Sequence, residues 1–333
     1  MTHEAILKDL KNKSYKPVYL LMGDEPYYID MITDYIAKNV LNDSEKTFNQ
    51  MVIYGKDTNI PDLVNTARRF PMMANHQVVI LKEAQDLKGI DELHKYTENP
   101  LQSTILVLAY KYGRIAKNKK LYKTVDKSGV VLDTKKLYDN QVPDWITKYL
   151  KVKKSTIDHE AAALLADFLG TGLGKIVNEL EKLIITLPEN HKHITTAHIE
   201  KNIGISKDYN TFELQKALGT RNVLKANQII NHFAKNPKDN PIPLVLSSLY
   251  SYFNKIFQYH FLKDKSQQNV ASVLKVNPFF VKEYQAAAQK YNPRKIFLIF
   301  GWLRESDIRS KGINNATTSD GDLLKELVFK ILH

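Results

Sequence analysis

The stretch of this 333-residue chain that comes nearest to a phosphate-binding loop is Gly170-Thr171-Gly172-Leu173-Gly174-Lys175. In a loop of the form G-x-x-x-x-G-K-[ST], glycine lets backbone amides approach a polyphosphate, lysine neutralises it and the hydroxyl holds magnesium. Here Leu169 stands where the spacing wants glycine, Ile176 replaces the hydroxyl residue, and no strand leads into the stretch. It reads as a turn between two helices, the first stopped by Gly170. The place where such a loop belongs, after the first strand, carries Gly23-Asp24-Glu25-Pro26-Tyr27-Tyr28. Two carboxylates there would repel phosphate. The third strand runs into Lys82-Glu83, where magnesium and a hydrolytic water need paired acids.

Other chemistry is equally thin. His191, His193 and His198 are spaced like ligands, but no nearby carboxylate pair joins them, and solvated histidines are the commoner outcome. Cysteine is absent, which excludes disulfides, thiolate metal sites and cysteine nucleophiles and fits a reducing compartment. Neither G-x-S-x-G nor H-E-x-x-H occurs. No catalytic constellation, cofactor or metal is expected.

The elements that would position any site alternate in the first half of the chain. Apolar runs at 18–22, 51–54, 77–81, 104–109 and 130–133 are short and rich in branched residues, and helical patterns separate them. Tyr28, Ile29, Ile32, Ile36 and Val40 form one helical stripe, and Ile60, Leu63, Val64 and Ala67 another, with Pro61 in its first turn. Strands alternating with helices predict a parallel α/β sheet. After Trp145 the strand signal ends. Asp158 is placed to cap a helix carrying Leu164, Leu165, Phe168 and Leu169, and Ile176, Leu180, Leu183, Ile184 and Leu187 mark the next. From Asp208 the pattern stays helical and becomes rich in Phe and Tyr, most of them expected in a core. The domains expected are therefore 1–143 (α/β), 144–207 (small, helical) and 208–333 (larger, helical).

Composition supports a folded chain: 43 % apolar, 25 % charged, and only 13 Gly and 12 Pro. No apolar run approaches the roughly 20 residues of a membrane span, and the N-terminus lacks a signal-peptide stretch, so a soluble, cytoplasmic protein is expected. The net charge is +12. Residues 111–154 hold thirteen basic and four acidic side chains, and so most of that excess. Such a block is either a solvated face or a surface for nucleic acid phosphates.

Several segments together resemble the delta subunit family of the bacterial DNA polymerase III clamp loader. They are Pro17-Val18-Tyr19-Leu20-Leu21-Met22-Gly23-Asp24-Glu25, Phe48-Asn49 with Tyr54-Gly55, Phe70-Pro71-Met72-Met73 followed by Gln77-Val78-Val79-Ile80, and Asn178-Glu179-Leu180-Glu181-Lys182-Leu183. The resemblance runs from about residue 17 to 330. It implies an AAA+-like parallel-sheet domain with a degenerate nucleotide site, a helical lid and a helical collar that serves oligomerisation.

It further implies a subunit that binds and opens the sliding clamp ring during DNA replication without hydrolysing ATP itself. The implied partners are the clamp, ATP-binding clamp-loader subunits in a hetero-oligomer, and primer-template DNA; no membrane is implied. Such a chain belongs to the DNA polymerase III holoenzyme while having no catalysis of its own. The family's apolar wedge falls on Phe70, Met72 and Met73, with Met-Met where the family often has Leu-Phe or Pro-Phe. Read from residues alone, these three would serve equally to seal a helix against the sheet. DNA contact is expected at Lys117, Lys119 and Lys120 and at Phe279 and Tyr284, where collar residues of the family lie near the primer-template junction. Two other readings stay open: a freestanding, sequence-independent nucleic-acid-binding protein, which the basic block would suit, and an active ATPase, which the loop after the first strand disfavours.

Overall fold

The computed structural model describes residues 1–188, 192–203, 209–315 and 317–333. These fall into two compact units, Met1–Lys136 with Gly172–Gly174, and Leu137–Thr171 with Lys175–His333.

The first unit runs α1 (His3–Lys11), β1 (Val18–Gly23), α2 (Pro26–Asn39), α3 (Asp43–Asn49), β2 (Gln50–Tyr54), α4 (Ile60–Ala67), β3 (Gln77–Lys82), α5 (His94–Thr97), β4 (Thr104–Lys111), α6 (Lys120–Ser128) and β5 (Val130–Thr134), with short 3-10 turns between. The five strands are parallel, in the order β2-β3-β4-β1-β5. Side chains alternate faces along a strand, so one strand feeds two cores. Val18, Leu20 and Met22 of β1 join Leu63 of α4, Tyr96 of α5 and Leu121 of α6 on one face. Tyr19 and Leu21 join Ile6 and Leu10 of α1 and Ile29, Ile32 and Ile36 of α2 on the other. Burial on both faces is why β1, β3 and β4 read as unbroken apolar runs. By contrast β2, at the sheet edge, leaves Met51, Val52 and Tyr54 exposed.

Helix starts follow the sequence closely. Asn42 and Glu45 form a reciprocal capping box at α3, and Asn59 caps α4 ahead of Pro61.

The second unit holds α7 (Val142–Val152), β6 (Thr156–Ile157), α8 (His159–Leu169), α9 (Leu173–Thr186) from Lys175 onward, β7 (His193–Ile194) and α10 (Thr196–Ile203). It continues with α11 (Thr211–Gly219), α12 (Val223–Lys235), α13 (Ile242–His260), α14 (Gln267–Leu274), α15 (Val281–Lys290), α16 (Pro293–Ser310) and α17 (Asp320–Leu332). The parallel β6–β7 pair is a feature the sequence reading lacks, because two residues are too few to show a period. Asp158 stands at the start of α8 as expected, but its carboxylate does not cap the helix; it accepts from His193 Nε2 at 2.9 Å. The break between units falls at Lys136/Leu137, and Val142, Pro143 and Ile146 of α7 are buried. The boundary expected at 207/208 lies outside the described residues. Among the described residues, no helix is long and apolar enough to cross a membrane.

Where β1 ends, Gly23 has φ +128°, and a Cβ there would stand 2.1 Å from the Thr134 carbonyl oxygen and 2.5 Å from its hydroxyl. Only glycine allows β5 to come that close. Gly23→Ala is therefore expected to lower the unfolding free energy by about 2–4 kcal/mol, combining backbone strain with overpacking. Urea denaturation checks this, and a loss under about 0.5 kcal/mol, the range of an ordinary surface change, would contradict it.

Candidate functional site

Parallel sheets place ligands at the carboxyl ends of their strands, so the loop after β1 is the first place to look. Three of its amides are spoken for within the chain. Asp24 N–H donates to the Thr134 carbonyl (3.1 Å), Glu25 N–H to the Thr134 hydroxyl (3.2 Å) and Tyr27 N–H to Glu25 Oε1 (3.1 Å). Pro26 has no N–H to give. Thus Glu25, buried at the N-terminus of α2, takes the position an anion would occupy there. Burial pushes its pKa up, against the opposing effects of the Tyr27 N–H and the charge of Lys136.

Two cations at this edge are also taken. The Arg114 guanidinium lies 2.7 Å from Asp24 Oδ2 and 2.7 Å from Asp133 Oδ1, and donates to the Thr134 carbonyl at 3.0 Å. Lys111 lies 2.8 Å from Asp30 and 3.6 Å from Glu83. Burial opposes its charge, but those two carboxylates outweigh it and raise its pKa.

A second feature lies at the end of α4. The helix's last carbonyls are held by side chains, Thr66 O by Gln77 Nε2 (3.0 Å) and Ala67 O by the Tyr96 hydroxyl (3.2 Å). The chain then turns through Phe70, Met72 and Met73, whose side chains are 76 %, 63 % and 103 % exposed. Sealing the helix against the sheet would require burial, so this reading of the three does not hold. Buried Asn49, at the end of α3, hydrogen-bonds the backbone of Met72. Met73 has φ +51°, in the left-handed region.

The sequence-predicted DNA contacts are divided between the two units. Lys117 and Lys120 are exposed near the start of α6, while Lys119 pairs with Asp91 at 2.8 Å. In the second unit Phe279 is 57 % exposed, with its ring edge-on to Phe280 at 5.2 Å. Tyr284 is different: it is buried beside Tyr252, ring centroids 5.5 Å apart, so it has no face to offer a base. Its place in the interior follows from the 3.6-residue period that puts Val281, Tyr284 and Ala288 on one side of α15.

Of the histidines, His193 bridges Asp158 and the Thr156 hydroxyl, His198 Nδ1 accepts from Thr195 N–H, and His191 lies outside the described residues. The sequence reading missed Arg114 as a bridging residue, Asn49 and Gln77. Asn49 and Gln77 had one signal, their place in the segments that carry the family resemblance; Arg114 had none.

A family model described as DNA polymerase III, delta subunit, matches residues 19–135, and a second, for the C-terminal domain of the delta subunit, matches residues 208–325. The DNA polymerase III subunit delta of Bacillus subtilis (strain 168) is 28 % identical over 335 residues, covering 97 % of this chain and 94 % of that protein. A solved Bacillus subtilis DNA clamp loader delta protein superposes with a TM-score of 0.60 at 24 % identity, over 99 % of both chains.

The burial of Glu25 generates a prediction with a definite sign. Because its folded pKa is raised, the folded state disfavours the ionised carboxylate relative to the unfolded chain, and this penalty disappears as the pH falls through that pKa. Glu25→Gln retains an acceptor for Tyr27 N–H without the charge. It should melt above the unsubstituted protein near neutral pH, with the gap narrowing towards about pH 4. Melting curves across that range check it; a gap that widens on acidification would show the ionised carboxylate to be stabilising.

Proposed function

The chain belongs to the DNA polymerase III delta subunit family, and from that membership we propose how this clamp-loader subunit, which binds and opens the sliding clamp, meets its partners. The clamp contact is the apolar tip formed by Phe70, Met72 and Met73. The observation that carries this reading is three large apolar side chains exposed together on a loop whose backbone is tied to buried residues. Apolar side chains left in water are stabilised when a partner covers them, at about 25 cal/mol per Å². Methionine suits an irregular pocket because it is unbranched and polarizable. A tip of this kind opens a ring only if it binds the open interface better than the closed one, since a ligand shifts an equilibrium by its difference in affinity.

Family membership places the subunit within a clamp-loader complex. In our reading ATP is bound by the other subunits of a hetero-oligomer, a division supported by a loop after β1 whose amides and cations are already engaged. We assign 1–143 to the clamp-contacting domain, 144–207 to a lid and 208–333 to a collar that joins the subunits. Primer-template DNA meets the assembled complex, with Lys117 and Lys120 offering point contacts to phosphate and Phe279 a ring for an unpaired base. Lysine contacts of this kind bind without reading sequence and weaken as salt rises.

Replacing both Met72 and Met73 by Ala is expected to weaken binding to the sliding clamp of the same organism at least about tenfold, or about 1.4 kcal/mol. The melting temperature should hardly move, because neither side chain is in the core. Unchanged clamp affinity, measured by titration, would end the assignment of the tip. For the collar, Phe279→Ala in a reconstituted loader should reduce clamp loading on a primed template by up to about tenfold at unchanged melting temperature, the scale of one stacked base. Full loading activity in that variant would place the base contact elsewhere.

A further inference from the structure

We infer that Asn49 is a positioning residue for clamp binding, holding the tip in the conformation that presents Met72 and Met73; this rests on the assignment of that tip as the clamp contact. Asn49 is 3 % exposed, between exposed Phe48 and half-buried Gln50, so its amide must find its partners inside the protein. It finds three. Oδ1 accepts Met72 N–H at 2.6 Å, and Nδ2 donates to the Met72 carbonyl at 2.9 Å and to the Glu45 carbonyl at 3.0 Å. Met72 N–H is a donor, so the atom facing it must be the side-chain oxygen, and the two carbonyls then meet the amide nitrogen: the orientation is fixed by its partners.

The side chain thus acts as a short piece of strand, bonding both polar groups of one residue 23 positions away. The Glu45 bond anchors it to the last turn of α3, whose N-terminus is itself locked by the Asn42–Glu45 capping box. With Gln77 and Tyr96 holding the end of α4, the tip is fixed on its entry side and again at Met72.

What the clasp holds is not core. The residues it orients, Met72 and Met73, stand in water, and the conformation it maintains includes a methionine in the left-handed region, which a free loop would leave. A binding loop ordered before contact spares the association the entropy of ordering it. Aspartate at this position would keep the size and the oxygen facing Met72 N–H while turning both donor contacts into repulsion between oxygens. Alanine would remove all three bonds.

The test is a double-mutant cycle on the full chain, with clamp affinity measured by titration well below the melting transition, and amide hydrogen exchange recorded over residues 70–74. Asn49→Ala should weaken clamp binding about tenfold and speed exchange in the tip, while the same change added to Met72→Ala/Met73→Ala should alter the remaining affinity less than about twofold. Asn49→Asp is measured in parallel, so that a folding failure of the alanine variant leaves the cycle complete; it should behave in the same direction. Equal losses in both backgrounds would show that Asn49 does not act through the methionines and would overturn the inference. So would clamp affinity that is unchanged in either Asn49 variant when the Met72→Ala/Met73→Ala protein binds poorly. If the methionine variant itself binds the clamp normally, the tip assignment fails first, and the role of Asn49 falls with it.

Discussion

Thr134, the last residue of β5, is the contact on which the loop after β1 depends. Its carbonyl accepts from Asp24 N–H and from Arg114, and its hydroxyl donates to the Met22 carbonyl and accepts from Glu25 N–H. Gly23 gives it room. Individually such bonds contribute about 1 kcal/mol, but leaving buried partners unsatisfied costs more than making them gains, so the set stands or falls together. The consequence is chemical. In a loop open to polyphosphate, backbone amides point at solvent and wait for a ligand. Here β5 supplies the acceptors, Glu25 the negative charge at the start of α2, and Arg114 the cation between Asp24 and Asp133. The protein contains both halves of the interaction that a nucleotide would otherwise complete.

A site satisfied by its own chain needs no ligand to be stable, and that frees the first unit to act as a scaffold. What the scaffold presents, in the proposed reading, is the tip after α4. Three exposed apolar side chains would invite nonspecific association in a neutral protein; a net charge of +12 counters that by keeping copies apart. Rigid presentation also separates this tip from the exposed apolar residues of the edge strand β2. Met51 and Val52 belong to a strand whose backbone is already paired with β3, whereas the tip belongs to a segment with no ladder and is held by side chains alone.

The sequence made legible whatever depends on local pattern. Burial on both faces produced continuous apolar runs in β1, β3 and β4, and the carboxylates at 24 and 25 announced that the first loop was unsuited to phosphate. Three kinds of feature were hidden. The β6–β7 pair is too short for a period to register. Arg114 reads as one more cation in a basic block, because its partners Asp24 and Asp133 lie 90 and 19 residues away and only the fold brings them together. Tyr284 follows exposed Phe279 and buried Phe280, and only its phase on α15 sends it inward.

The tip shows why a polarity pattern alone could not separate exposed apolar residues from core. Phe70, Met72 and Met73 have the composition of residues that bury, and with neither strand nor helix at 70–76 there is no period to assign a face. Exposure supplies the missing discrimination, and the backbone at Met73 adds to it. A left-handed residue other than glycine costs about 1–2 kcal/mol, a cost glycine would avoid at position 73. Inside a folded chain such a cost is ordinarily offset by what the side chain packs against, but Met73 is fully exposed. In the proposed reading, the compensation for a large apolar side chain there comes from the partner that covers it.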